Sequence, residues 1–242
     1  MSSSSVGANS LEKKKGGERE DSYITSHKEI EGFEQWIDEK DAAALADDAY
    51  SNKGVGDVVN GWTIKESIDD KRTGFKAKLY EKNGKYVFAT AGTNILSGRD
   101  WSNNVSQHLG VNSEQYNLSV LKAREYSRKY DDLIFVGHSL GGGLASANSR
   151  ATGHSAITFN AAALSSKYNE GFMDSKIAAY VSDGDILDYT NEVLSFGRKA
   201  EGTVIRRSVF ASKLPNLQGV PGSGVYQFAR GVWAHCDFSF SD

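Results

Sequence analysis

The sequence predicts an α/β fold: a central, mostly parallel sheet with helices on both faces and an antiparallel hairpin at one side. Three observations predict it. Short apolar runs alternate with helical patterns after residue 85, the arrangement that builds parallel strands joined by helical crossovers. Asn83-Gly84 stands between two strand-like segments and signals a tight hairpin ahead of that region. Finally, the apolar run Leu133-Ile134-Phe135-Val136 leads straight into Gly137-His138-Ser139-Leu140-Gly141 and then a small-residue helical segment. That is a buried strand, a sharp turn carrying a serine, and a helix leaving at once.

Residues 1–22 are rich in Ser, Lys, Glu and Gly and hold almost no large apolar side chains, which predicts a disordered tail or leader. Residues 23–242 read as one domain without internal repeats. From Ser26 to Tyr50 the pattern is helical, with Ile30, Phe33, Ile37, Ala44, Leu45 and Ala49 at helical spacing. Segments 62–68 and 73–81 read as strands; in the second, Phe75, Ala77 and Leu79 alternate with Lys76, Lys78 and Tyr80. The hairpin then feeds a strand over 85–90. Ser113 is placed to cap a helix running to about Tyr130, with Tyr116, Val120, Ala123 and Tyr126 inward. The elbow strand follows, then its helix to about Thr152 and a stop at Gly153. Segments 157–159, 177–181 and 204–210 complete the strands.

Bulk properties exclude several classes. At 242 residues with a net charge of −3, the chain can bury a sizeable core and carries no basic signature of nucleic-acid binding. Cys236 is the single cysteine, so no intrachain disulfide is expected and folding needs no oxidising compartment. No apolar run reaches transmembrane length. Four serines and then Lys13-Lys14-Lys15 stand where a signal peptide would carry its apolar stretch. The expectation is secretion or delivery without a cleavable signal, with a cytoplasmic location as the alternative.

Ser139 is the candidate nucleophile. Gly137 and Gly141 keep the crossing strand and helix from colliding, and the helix N-terminus offers N–H groups to negative charge. A serine hydroxyl needs a base, and the base an orienting carboxylate. In α/β hydrolases the chain order is Ser, acid, His. Only His154 and His235 follow Ser139; His154 comes just after the Gly153 stop, at the far end of the sheet, so His235 is the candidate base. His138, inside the elbow, reads as a packing residue. The acid should lie just past a strand end, where Ser182-Asp183-Gly184-Asp185 follows the run 177–181. Asp185 is the first choice and Asp183 the runner-up. The Leu140 N–H is one donor for the developing oxyanion, and Thr93, after the strand ending near Thr90, is the other. No metal is expected, since the Asp183/Asp185 pair has no further ligand cluster beside it, and no cofactor is called for.

With Gly92-Thr93, Asp100-Trp101, the Gly137–Gly141 elbow, the Asp185 turn and the late His235 in order, the chain resembles the class 3 lipases, and among them the bacterial phospholipase A1-like members. Ala91 stands where that family carries an arginine, and Asp185-Ile186-Leu187-Asp188 matches its acid turn without the proline. Ala46-Asp47-Asp48-Ala49-Tyr50-Ser51 resembles the helix the family places before its sheet. The resemblance implies a lipid-ester hydrolase with a membrane phospholipid surface as substrate: Ser139, His235 and Asp185 as triad, Thr93 and Leu140 at the oxyanion. Segment 94–110 then falls at the family's lid, with Ile95, Leu96 and Trp101 able to meet lipid. A soluble-ester carboxylesterase or acyltransferase, a triacylglycerol lipase and a non-catalytic lipid-binding module stay open. So does a delivered toxin held in check by an inhibitory (immunity) protein.

Overall fold

The computed structural model describes residues 24–92, 113–164, 175–182 and 200–207. Among these residues, eight strands form one sheet in strictly sequential order: β1 (Val58–Val59), β2 (Trp62–Asp70), β3 (Phe75–Lys82), β4 (Lys85–Ala91), β5 (Leu133–His138), β6 (Ala156–Phe159), β7 (Ile177–Ser182) and β8 (Thr203–Arg207). From β1 to β4 the pairing is antiparallel. From β4 to β8 it is parallel, so the C-terminal ends of five strands share one edge. The β3–β4 turn has the expected form, with positive φ at both Asn83 (54°) and Gly84 (75°), as a type I′ hairpin requires. A second turn of the same kind, Asn60-Gly61 (φ 50° and 81°), joins β1 to β2.

Both faces are covered. Helix α1 (Glu39–Asp48) lies on one face with Ile37, Leu45 and Trp62 against Tyr80, Val87, Ile134, Val136, Ile157 and Tyr180. Helices α2 (Ser113–Ser127) and α3 (Leu140–Thr152) lie on the other, where Ala123, Tyr126 and Leu144 meet Phe75, Leu79, Phe88, Leu133 and Phe135. Consecutive β5 residues thus serve opposite faces, as the period-2 geometry of a strand demands. The sheet advances in one direction through β4, β5 and β6. Crossovers of one hand therefore put α2 and α3 on the same side.

Three expectations need correction. Segment 26–50 is not one helix: it holds a 3₁₀ turn (His27–Glu29), an irregular stretch broken by Gly32 at φ 66°, and α1. Phe33 and Ile37 are buried all the same, because an irregular strap can reach the sheet as a helix would. Lys78 and Tyr80 are not outward: they are buried beneath α1, since β3 is covered on both faces. The α2 helix ends at Ser127 rather than near Tyr130, where the Lys129 and Tyr130 N–H groups close a turn on the Tyr126 carbonyl. The expected tail 1–22 and the end of the last strand, 208–210, lie outside the described residues.

Candidate active site

The strand β5 stops at His138 and α3 starts at Leu140, so Ser139 alone makes the turn. Its backbone sits at φ 60°, ψ −128°, a conformation costing a non-glycine residue on the order of 1–3 kcal/mol. A serine before a helix normally spends its oxygen capping the first turn. Here the side chain makes no capping bond. The Ser139 carbonyl instead accepts from Gly142, Gly143 and, across the sheet edge, Ala162, while its N–H donates to the Phe159 carbonyl at 3.0 Å. The backbone is pinned on both sides and the hydroxyl is left out of that work. Ser139 is 8% exposed.

The close crossing rests on missing side chains. A Cβ at Gly137 would overlap the Gly141 carbonyl, and one at Gly141 would overlap the Thr90 carbonyl. Thr90 Oγ1 donates to the Gly141 carbonyl at 2.8 Å, which ties the end of β4 to the start of α3. Gly92 lies against the same turn: a Cβ there would fall 2.5 Å from Leu140 Cβ and 2.9 Å from the Gly141 nitrogen. Gly142 makes room for Ala161 and for the Gly137 carbonyl of β5, and Gly143 for the Tyr116 hydroxyl. Leu140 is the first helical residue, so its N–H belongs to the first turn, whose donors have no partner within the helix.

Two residues missed in the sequence organise this edge. Asn160, at φ 42° just past β6, is buried; it accepts from Ser182 N–H at 2.8 Å and its own N–H donates to the Tyr180 carbonyl. It locks the ends of β6 and β7 together one residue short of Asp183. Tyr50, just beyond α1, accepts from the Gly92 N–H and donates to the His138 carbonyl, each at 3.0 Å. Burial pushes its phenol up to about 12, so the hydroxyl keeps the proton it donates. Asn at a left-handed strand end and the Tyr in Ala-Asp-Asp-Ala-Tyr-Ser were the available signals.

Of the expected site residues, Gly137, Ser139, Leu140 and Gly141 meet at this edge. His154 lies at the opposite one, after the left-handed stop at Gly153 and before β6 begins. Thr93, Ile95, Leu96, Asp100, Trp101, Asp183, Asp185, Asp188 and His235 lie outside the described residues. Among the described residues, no group of three or more His, Cys, Asp or Glu is placed to hold a metal ion, and no helix is long and apolar enough to cross a membrane.

Comparison with known proteins adds three findings. A family model described as a phospholipase-like, Tle-like phospholipase domain matches residues 41–236. An extracellular phospholipase A1 of Serratia liquefaciens is 42% identical over 134 residues, which is 51% of this chain and 41% of that protein; the chain thus matches less than half the relative's length. Two fungal lipase structures are similar in fold, each with a TM-score of 0.50 over 69% of this chain. The triacylglycerol lipase of Penicillium expansum is 16% identical with 76% of its chain covered, and the lipase of Rhizopus microsporus var. chinensis 18% identical with 72% covered. At such identities the likeness concerns the fold, and it is the α/β-hydrolase-like sheet expected from the sequence.

Proposed function

Because the chain belongs to the Tle-like phospholipase domain family, whose model spans residues 41–236, we propose that it is a phospholipase A1 acting through an acyl-enzyme on Ser139. The observation that carries this reading is the turn itself. Ser139 holds a costly backbone conformation, pinned by its carbonyl and N–H, while its side chain does no capping work. Folding alone gives no reason to keep a serine there; a nucleophile presented at a strand end does.

In the proposed chemistry the Ser139 oxygen attacks the ester carbonyl and loses its proton to His235, which Asp185 orients, with Asp183 the alternative acid. The tetrahedral oxyanion accepts from the Leu140 and Thr93 N–H groups. Collapse expels the lysophospholipid, which takes the proton back from His235. Water, deprotonated by the same imidazole, then releases the fatty acid and restores Ser139. No step calls for a metal or cofactor. Ile95, Leu96 and Trp101 are proposed to meet the lipid surface. The Serratia relative's description as extracellular supports export of this chain too, and an inhibitory partner in the producing cell belongs to the same proposal.

The test is product analysis on vesicles of phosphatidylcholine with palmitate at sn-1 and oleate at sn-2. Palmitate should appear first, and Ser139→Ala should release neither acid nor take a fluorophosphonate label. Oleate first would make the enzyme an A2-type hydrolase. Short soluble esters cleaved as fast as vesicles would favour a carboxylesterase. An unlabelled wild-type protein would leave only a lipid-binding module.

A further inference from the structure

Three segments far apart in sequence converge on one atom, the Tyr50 hydroxyl. It accepts the Gly92 N–H and donates to the His138 carbonyl, both at 3.0 Å. Gly92 directly follows β4 and precedes Thr93; His138 ends β5 and precedes Ser139. The β4–β5 ladder has its last pair at Thr90↔Gly137. One step on, where the next backbone pairing would fall, the two strands are joined through a side chain instead. The phenol holds the Gly92 N–H and the His138 carbonyl apart by two hydrogen bonds, while Gly92 stays packed against Leu140 and Gly141.

The residues beside Tyr50 are held too. Lys78, buried on β3, donates to the Asp48 carbonyl (2.7 Å), the Asp48 carboxylate (3.1 Å) and Ser51 Oγ (2.8 Å). Tyr80 and Ser51 donate to the same carboxylate at 2.8 and 2.9 Å, and Lys53 pairs with it from the surface at 2.9 Å. Burial alone would raise the Asp48 pKa, but the donors from Lys53, Tyr80, Lys78 and Ser51 hold it below the usual carboxylate range. Asp48 and Ser51 are thus anchored to the sheet on either side of Tyr50, which leaves the ring little room to drift.

We infer that Tyr50 is a positioning residue that sets the separation between Gly92, just past β4, and His138, beside the proposed nucleophile, with the Asp48–Lys78 pair as its anchor. The inference rests on the acyl-transfer reading above. It concerns a group that touches neither substrate nor Ser139 and acts through two backbone groups that flank the reaction.

Tyr50→Phe keeps the ring and removes the bridge. On phosphatidylcholine vesicles kcat should fall about 10- to 100-fold with KM within about twofold, since misplacing a reacting group by ~1 Å costs up to ~10²-fold. The melting temperature should move only a few degrees. Amide exchange provides a readout independent of turnover: the Gly92 N–H should be protected in the wild-type protein and exchange at least about tenfold faster in the variant, with Val87 in mid-strand unchanged. An unprotected Gly92 amide in the wild type overturns the inference even if the variant does not fold. So does a variant whose rate per folded molecule equals the wild type, or one in which KM rises while kcat holds. A wild-type protein that neither cleaves phospholipid nor takes a fluorophosphonate label defeats the acyl-transfer reading first, and the inference with it. Normal wild-type turnover with an indifferent Tyr50→Phe defeats the inference alone.

Discussion

The two ends of α3 both turn through positive φ, and they do so at different expense. At the C-terminal end the residue is Gly153, φ 82°, whose N–H bonds to the Ser149 carbonyl at 2.8 Å. That is ordinary helix termination at the one residue type that adopts it freely. At the N-terminal end the residue is Ser139, φ 60°, which needs three acceptor contacts on its carbonyl to stay there and returns no cap. One end is solved for stability. The other keeps its strain where a glycine would remove it. What differs between them is the hydroxyl, and the strain is in keeping with the proposed role of Ser139 as nucleophile.

The comparison breaks most visibly by swapping the ends. Ser139→Gly should cost on the order of 10⁴ or more in turnover. It should also be more stable than Ser139→Ala by about 1 kcal/mol in urea unfolding, because alanine retains the strain and glycine relieves it. Equal stability of the two variants would mean that Ser139 is not strained. The proposed acid comes next: Asp185→Asn should lower kcat by about 10⁴-fold, as loss of the orienting carboxylate does in serine triads, and Asp183→Asn by less than about tenfold. The reverse order would exchange their roles. Gly141→Ala tests the close crossing at the strained end. Its methyl has no space beneath the Thr90 carbonyl, and a loss of about 3 kcal/mol or more in unfolding free energy is expected. At the relaxed end, Gly153→Ala should cost only ~1–2 kcal/mol, with kcat unchanged.

The smallest effect lies away from both ends and serves as a control on them. His27 is fully buried; its Nε2–H donates to the Ile37 carbonyl at 3.1 Å and its Nδ1 accepts from Tyr180 at 2.8 Å. Burial lowers its pKa below the ordinary 6.5, and Lys28 adds to this against the opposing pull of Ile37, Glu39 and Asp38. The unfolded chain therefore binds the proton more readily than the folded one. Stability conferred by neutral His27 is complete above the unfolded value and is lost as pH falls below about 6.5. Urea midpoints at pH 7.5 and 5.5 should differ less in His27→Gln than in the wild type, whereas Ser139 and Gly153 variants should keep the wild-type difference.

What could be read from sequence follows the range of the interactions involved. The elbow was legible because strand, turn, glycines and helix are contiguous, and so were the Asn83-Gly84 hairpin and the Gly153 stop. Asn60-Gly61 carries the same signal as Asn83-Gly84, but the strand before it, Val58–Val59, is too short to show an alternating pattern. Ile30, Phe33 and Ile37 mimicked a helix, since burial in an irregular strap leaves the same apolar spacing. Lys78 and Tyr80 looked solvent-facing by alternation, and only α1 lying over β3 shows why they are buried. Tyr50 and Asn160 act on strands distant in sequence, so nothing beside them announces their role. The acid and base of the proposed triad were legible only as chain order, which constrains candidates without bringing them together.

The sequential strand order has a consequence for synthesis. Each described strand pairs with the one made just before it, so the sheet can be laid down as the chain leaves the ribosome, and the Ser139 turn can be pinned once Phe159 and Ala162 have been made. With the base proposed at His235, a nascent enzyme would own its nucleophile long before the group that activates it. The cell building this protein would meet an inert hydroxyl until the chain had grown past residue 235.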